Sequence, residues 1–299
     1  MPLDHLLLTA STSEAYTYLF KLLADPGDRV LVPRPSYPLF EFLAALESVE
    51  VGQYPLRYDG TWHVDFDELE KTITPRTRAI VVVNPNNPTG SYLKRPELER
   101  LEDLCVAHGL ALVSDEVFCD YALTADSSRV TTLAGSRKAL TFSMSGLSKV
   151  IGMPQLKLGW IAVSGPGAAE ACERLEWIAD TFLSVATPVQ VALPQLLEAG
   201  LPVQKQIATR TEGNLQWLRT FLRGTALNLL SVEGGWYAVV QVPRTRTEEE
   251  WVLELLRTHQ VLVQPGYFYD FESEAFLVLS LLTPEAVFRE GVERLLRMA

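Results

Sequence analysis

The run Arg78 to Val83 (RAIVVV) constrains the fold more than any other stretch. Its apolar residues are continuous rather than alternating, the pattern of a strand buried on both faces. Such a strand needs helices above and below it, and the flanking sequence supplies them. Asp65 to Ile73 reads as a short amphipathic helix, and Pro96 to His108 as a second one stopped by Gly109. Further strands are expected at His5 to Thr9, Arg29 to Pro33 and Val49 to Tyr54, and another buried one at Leu110 to Ser114. Helical patterns lie after Thr9 (through Leu23) and before Leu46. Strand and helix alternate through residue 115, which predicts a mostly parallel sheet covered on both faces.

Two more strands, Ala139 to Met144 and Leu156 to Val163, follow without an intervening long helix. Helical segments are then expected at Gly167 to Leu183, Val189 to Glu198 and Val203 to Leu222. From Ala226 the texture changes to strand candidates Asn228 to Val232, Trp236 to Val242, Val261 to Val263 and Phe276 to Ser280. Helices at Glu248 to His259 and Pro284 to Met298 are interleaved with them. The expected architecture is α/β, with a large domain at residues 1–200, a linking helix at 201–225 and a small α+β domain at 226–299.

Composition excludes several function classes. The net charge of -11 opposes a polyanionic partner, so nucleic acid is not expected. No apolar run is long enough to span a bilayer, so no membrane partner is expected, and the first residues lack the basic flank of a signal peptide. Three widely spaced cysteines (Cys105, Cys119, Cys172) suit reduced thiols in the cytoplasm, and four scattered histidines give no metal-ligand spacing.

The chemistry-bearing residues fall between the expected elements. Ala10-Ser11-Thr12-Ser13 joins a strand to a helix start; Ser11 or Thr12 there serves as an N-cap or as part of an anion site. Tyr37, between Pro35 and Pro38, is a stacking platform or core filler. The loop Asn84-Pro85-Asn86-Asn87-Pro88-Thr89-Gly90 ends a buried strand, where open α/β sheets place ligands. Asp115 ends the next strand, and a carboxylate there is either desolvated or paired with a positive group. Lys149 follows the turn Ser145-Gly146-Leu147-Ser148 between two strands. If buried there, its amine loses hydration, becomes nucleophilic and is able to form Schiff bases; the other reading is a surface-turn lysine.

In order, the NPNNPTG loop, the SDEVF segment and the SGLSK segment resemble the class I/II aminotransferases of fold type I, which depend on pyridoxal 5′-phosphate. The resemblance runs from His5 to the C-terminus. It implies that Lys149 bonds the cofactor and moves the substrate proton, and that Asp115 pairs with the pyridine N–H. It further implies that Asn87 bonds the ring hydroxyl, Tyr37 stacks on the ring, and Ser11, Thr12 and Lys157 hold the phosphate. Amino acid and 2-oxo acid substrates and a cytoplasmic homodimer are implied with them.

Four positions depart from the family pattern. Phe118 stands where a tyrosine donates to the ring hydroxyl, a loss of about 0.5–1.5 kcal/mol for a neutral bond. Lys157 replaces an arginine fork. Gly146 replaces a serine, so Ser145 or Ser148 is expected to take over. Val278 aligns with the arginine that clamps the substrate carboxylate, and no arginine lies between Val261 and Phe288. The family also carries a segment ahead of the position matching His5; without it, exposed apolar surface is expected near Leu6 to Leu8. A lyase, a racemase or a cofactor-binding module without turnover stays open beside the aminotransferase reading.

Overall fold

The computed structural model describes residues 2–135 and 137–298. The first part of the chain runs β1 (Leu6–Thr9), α1 (Thr12–Leu23), β2 (Arg29–Arg34), α2 (Phe40–Leu46), β3 (Glu50–Tyr58), β4 (Trp62–Val64), α3 (Phe66–Thr72) and β5 (Thr77–Val83). It continues with α4 (Arg95–His108), β6 (Ala111–Asp115), β7 (Thr141–Gly146), α5 (Leu147–Val150), β8 (Gly159–Ser164) and α6 (Ala168–Asp180). These strands form one eight-stranded sheet in the order β1-β8-β7-β6-β5-β2-β3-β4.

The pairs β2–β3, β2–β5, β5–β6 and β6–β7 are parallel, as the alternation predicts. Strand β8 runs against β7, and β1 runs against β8. Two reversals restore the direction, so β1 points the same way as β7, β6, β5 and β2. Their carboxyl ends therefore share one edge of the sheet, and the start of β8 lies on that edge too.

Strand β5 shows why a continuous apolar run belongs in the middle. Ala79, Val81 and Val83 pack on one face with α1 and α6, in a cluster that includes Tyr16, Leu19, Phe142 and Leu175. Ile80 and Val82 pack on the other with Leu69, Leu98 and Leu101 from α3 and α4. Truncating Ile80, which is fully buried, to alanine would cost about 2–5 kcal/mol.

A long helix, α7 (Thr187–Phe221), leads to β9 (Asn228–Leu229), β10 (Tyr237–Gln241), α8 (Glu248–His259), β11 (Gln264–Pro265), β12 (Phe276–Ser280) and α9 (Glu285–Met298). The four strands make an antiparallel sheet in the order β11-β12-β10-β9. One face packs on α8, α9 and the end of α7 through Trp251, Leu255, Phe288 and Leu218. The other face carries Val239 and Val278 toward Trp62 of β4.

The structure corrects several expected elements. The helices expected at 189–198 and 203–222 are one helix, continuous through Pro194 and Pro202. An interior proline costs an isolated helix roughly 3 kcal/mol, so tertiary packing has to hold α7 together. Gly200 supplies such packing: a Cβ there would meet Ile151 at 2.5 Å. The strand expected at 261–263 is displaced to Gln264–Pro265, and the one at 228–232 keeps only two residues. The strand expected from Leu156 starts at Gly159, after a 3-10 turn and a left-handed Lys157 (φ 49°). The hairpin strand β4 was not anticipated. Near the start, Leu6 is 39% exposed, whereas Leu7 and Leu8 are partly covered by the two adjoining cores.

Candidate active site

A cavity of about 280 Å³ opens along the shared carboxyl edge of the large sheet. Ser11, Thr12, Tyr37, Asn87, Asp115, Lys149 and Lys157 all line it. The structure thus brings together every site residue expected from the sequence, although they are spread over most of the first 157 residues.

Each arrives for a local reason. Ser11 is the N-cap of α1; its hydroxyl accepts from the Glu14 amide at 3.2 Å. The capping reading is therefore correct for the Ser11 side chain. The amides of Thr12 and Ser13 open the helix, where no intrahelical carbonyl is available to them, and face the cavity with the positive end of the dipole. Lys157 stands at the cavity rim on its left-handed turn rather than on a strand, exposed and outside every ion pair among the described residues.

The polar loop after β5 sorts its three asparagines. Asn84 donates to the Val130 carbonyl and accepts from the Leu93 amide, both at 2.9 Å. Asn86 donates to the Pro35 carbonyl and Thr89 hydroxyl and accepts from Ser36. Both are committed to holding the loop. Asn87 Oδ1 is buried with no partner among the described residues, on the cavity wall. A buried, unused acceptor is costly unless something else meets it.

The two adjacent acids after β6 divide in the same way. Glu116 accepts from Ser114, Thr132 and the Leu133 amide at 2.6–2.9 Å, so it fastens the segment around residue 132. Asp115 faces the cavity. Its Oδ1 accepts from the Val117 amide at 3.2 Å and its Oδ2 from the Tyr16 hydroxyl at 3.1 Å. Burial pushes its carboxyl up to about 6, against the pull of those two donors and of Lys149.

Lys149 sits in the last turn of α5. Its carbonyl accepts from the Tyr121 hydroxyl at 2.6 Å, which fixes the turn. Its Nζ lies 5.2 Å from the Trp236 ring centroid and 5.8 Å from that of Phe118. Burial draws the ammonium below the usual lysine range, partly opposed by the Asp115 carboxylate. The surface-turn reading is thereby excluded, because the side chain is partly buried on the cavity wall beside two aromatic rings.

The structure shows what surrounds three of the departures from the family pattern. Phe118 packs edge-on against Trp236 and Tyr237, with centroids 5.1 and 6.2 Å apart. Gly146 has no space for a side chain, since a Cβ would meet Gly159 Cα at 3.0 Å and the Leu158 carbonyl at 3.1 Å. Of the two serines expected to stand in for it, Ser148 lines the cavity, while Ser145 is turned toward the Glu116 carbonyl. Val278 is 3% exposed, opposite Val239 and Gln264, and borders a second cavity of about 540 Å³ that Tyr237 also lines.

Two contributors were missed from the sequence. Tyr237 joins the wall as the first residue of β10, and Tyr16 lies behind Asp115 on α1. The signal for Tyr16 was its place on the apolar face of α1 beside Leu19 and Phe20. A tyrosine buried there has to find an acceptor for its hydroxyl.

A partly buried amine and a buried carboxylate on one cavity wall, with a helix N-terminus nearby, suit amine–carbonyl chemistry on an anionic ligand. Comparison with known proteins narrows this. Residues 2–295 match the model of the family "Aminotransferase class I and II". The chain belongs to that family. It is 29% identical over 306 residues to an alanine aminotransferase of Mycobacterium tuberculosis, covering 98% of this chain and 70% of that protein. It is 31% identical over 199 residues to an S-alkyl-thiohydroximate lyase of Arabidopsis thaliana, covering 65% of this chain and 43% of the other. The solved structure of an alanine aminotransferase from Pyrococcus furiosus superposes with a TM-score of 0.88 at 25% identity, over 99% of this chain and 76% of that one.

Proposed function

We propose that this cavity binds pyridoxal 5′-phosphate, and that the chain moves an amino group from an amino acid to a 2-oxo acid. The observation that carries the reading is the convergence of Lys149, Asp115 and the unpartnered Asn87 Oδ1 on one cavity. The donor set fits the group. Thr12 and Ser13 amides, the Ser11 turn, Ser148 and Lys157 suit a phosphate; Asn87 suits a ring hydroxyl; Asp115 suits a pyridinium N–H; and Tyr37 offers a flat face. When bound, such a cofactor supplies a carbonyl for bonding amines and a ring that absorbs carbanion charge.

The chain's own residues do the rest. Asp115 would be the acceptor facing the pyridinium N–H of the bound group. Lys149 Nζ would take up the proton from the substrate Cα and return it. Phe118, Trp236 and Tyr237 exclude water from around that amine. Alanine and glutamate are the first donors to try, because the relatives' names include alanine aminotransferase and glutamate-pyruvate aminotransferase.

A lyase reaction is the second reading, favoured by the Arabidopsis relative. The reading further includes a homodimer, work in the cytoplasm in keeping with three free thiols, and a division into domains at 1–200, 201–225 and 226–299. The separate hydrophobic cores under the two sheets support a large and a small domain, while α7 runs unbroken across the boundary at 200/201. No helix among the described residues is long and apolar enough to cross a membrane.

The test is to add pyridoxal 5′-phosphate, then a panel of amino donors, and follow the cofactor spectrum. Conversion to pyridoxamine phosphate by an amino acid, reversed by a 2-oxo acid, is the expected result. Release of a cleaved side chain without that conversion would favour the lyase. Binding with neither would leave only a cofactor-binding module.

A further inference from the structure

Tyr16 uses its hydroxyl differently from three other buried tyrosines. Tyr54 donates to the Val81 carbonyl, Tyr92 to the Cys119 carbonyl and Tyr121 to the Lys149 carbonyl. Those bonds satisfy a buried O–H against backbone and tie elements together. Tyr16, 1% exposed, donates instead to a carboxylate oxygen of a cavity residue, Asp115, across 99 positions of sequence. The ring has little freedom to do otherwise. It is wedged against Phe40 at 5.5 Å edge-on and against Phe20 at 5.8 Å.

We propose that Tyr16 is a positioning residue for Asp115, holding one carboxylate oxygen from behind so that the group stays ionised and presents its remaining lone pairs to the cavity. An ionised carboxylate offers about four acceptor sites. The Val117 amide occupies one on Oδ1 and the Tyr16 hydroxyl one on Oδ2, both from the protein side. What is left is available to a donor in the cavity. The proton belongs to Tyr16, because burial first and the neighbouring carboxylate second push the phenol well above its ordinary value.

The charged and titratable groups around Asp115 leave Tyr16 in a distinct role. Glu116 is engaged with Ser114, Thr132 and Leu133, and disfavours a second charge beside it. Lys149 favours that charge, but in the proposed function its amine becomes bonded to the ligand. Tyr37 interacts with both Asp115 and Tyr16 from the cavity side. Among the described residues, Tyr16 is the side chain that hydrogen-bonds Asp115, and it does so from outside the cavity lining. Only the consequence for cofactor binding rests on the proposed function; the carboxylate's own titration does not.

The experiment follows the Asp115 carboxyl carbon by NMR titration in the full chain labelled with 13C-aspartate, assigned with Asp115→Asn. In Tyr16→Phe the midpoint is expected to rise by about one pH unit, the shift that corresponds to losing one charge-assisted bond. An unchanged midpoint in folded Tyr16→Phe would overturn the proposal. If that variant does not fold, 3-fluorotyrosine at position 16, a stronger donor of the same shape, is expected to lower the midpoint; no movement there overturns it equally. Pyridoxal 5′-phosphate is then titrated in, and Tyr16→Phe is expected to bind it about ten-fold more weakly. Failure of the unaltered chain to bind the cofactor would defeat the proposed function, whereas the carboxyl titration would still decide the role of Tyr16.

Discussion

Gly146 and Gly159 face each other across β7 and β8 with no space for a side chain on either. A Cβ on Gly146 would lie 3.0 Å from Gly159 Cα, and one on Gly159 would lie 3.0 Å from the Ser145 carbonyl oxygen. Both obstacles are backbone, which cannot rotate out of the way. This close approach brings the start of β8, with Lys157 just ahead of it, beside the turn that carries Ser148 and Lys149. Gly146→Ser is therefore expected to destabilise the chain by about 1–3 kcal/mol and to weaken cofactor retention. Denaturant unfolding and a cofactor titration of the variant check this. A serine tolerated at no cost would mean that the two strands lie further apart.

The asparagine loop gives a contrast within three residues. Asn87→Ala removes a buried acceptor that has no partner among the described residues, so stability is expected to hold or to rise by about 1 kcal/mol. Asn84→Ala and Asn86→Ala leave carbonyls, amides or hydroxyls unpaired in the interior and are expected to cost about 1–3 kcal/mol each. Cofactor affinity should fall roughly ten-fold in Asn87→Ala. Thermal unfolding of the three variants beside a cofactor titration separates the ligand-facing asparagine from the two structural ones.

The acid pair predicts a pH dependence. Burial raises the Asp115 carboxyl to about 6, above its unfolded value of 3.8, and raises Glu116 as well. A folded state that holds protons more tightly than the unfolded state is favoured at low pH. The contribution is fully present below the unfolded value and is lost as pH rises through about 6. For Asp115 this amounts to roughly 2–3 kcal/mol. Without cofactor, Asp115→Asn should remove that share of the slope between pH 4 and 6 and be more stable than the unaltered chain at pH 7. Glu116 keeps the remainder of the slope. Chemical unfolding of both chains across that range checks the sign and the size.

Glu233 links the small sheet to the large one. It accepts from the Tyr92 amide at 2.8 Å and from Lys94 Nζ at 2.7 and 2.8 Å, while Lys94 also pairs with Asp126 at 2.9 Å. The backbone follows: the Gly234 amide donates to the Gly90 carbonyl, and the Leu123 amide to the Glu233 carbonyl. Glu233→Gln keeps the acceptor for Tyr92 and removes one of the two carboxylate charges that Lys94 faces, at an expected cost of about 1–2 kcal/mol. Hydrogen exchange should show faster exchange at the Gly234 and Gly235 amides, with the core of β5 unchanged.

What was legible in the sequence is what depends on local pattern. The strand around Ile80 announced itself because both of its faces are buried, and Asn87, Asp115 and Lys149 stood at strand ends where a parallel sheet collects them. The unity of α7 was not legible, since Pro194 and Pro202 are local stop signals overruled by packing such as Gly200 against Ile151. Tyr16 was hidden for a related reason. Its helical position predicts burial, but its acceptor lies 99 residues away and is known only once β6 is laid against α1. The strand at 261–263 was misplaced because its β-branched residues pack under α8 and α9, while the ladder begins at Gln264.

Whether Lys149 is the amine that bonds the cofactor is decided by borohydride reduction of the chain loaded with pyridoxal 5′-phosphate, followed by peptide mass spectrometry. A phosphopyridoxyl group is expected on the peptide bearing Lys149, and none at that level in Lys149→Ala. A stable adduct on Lys157 or another lysine instead, or equal labelling of Lys149→Ala, would contradict the assignment.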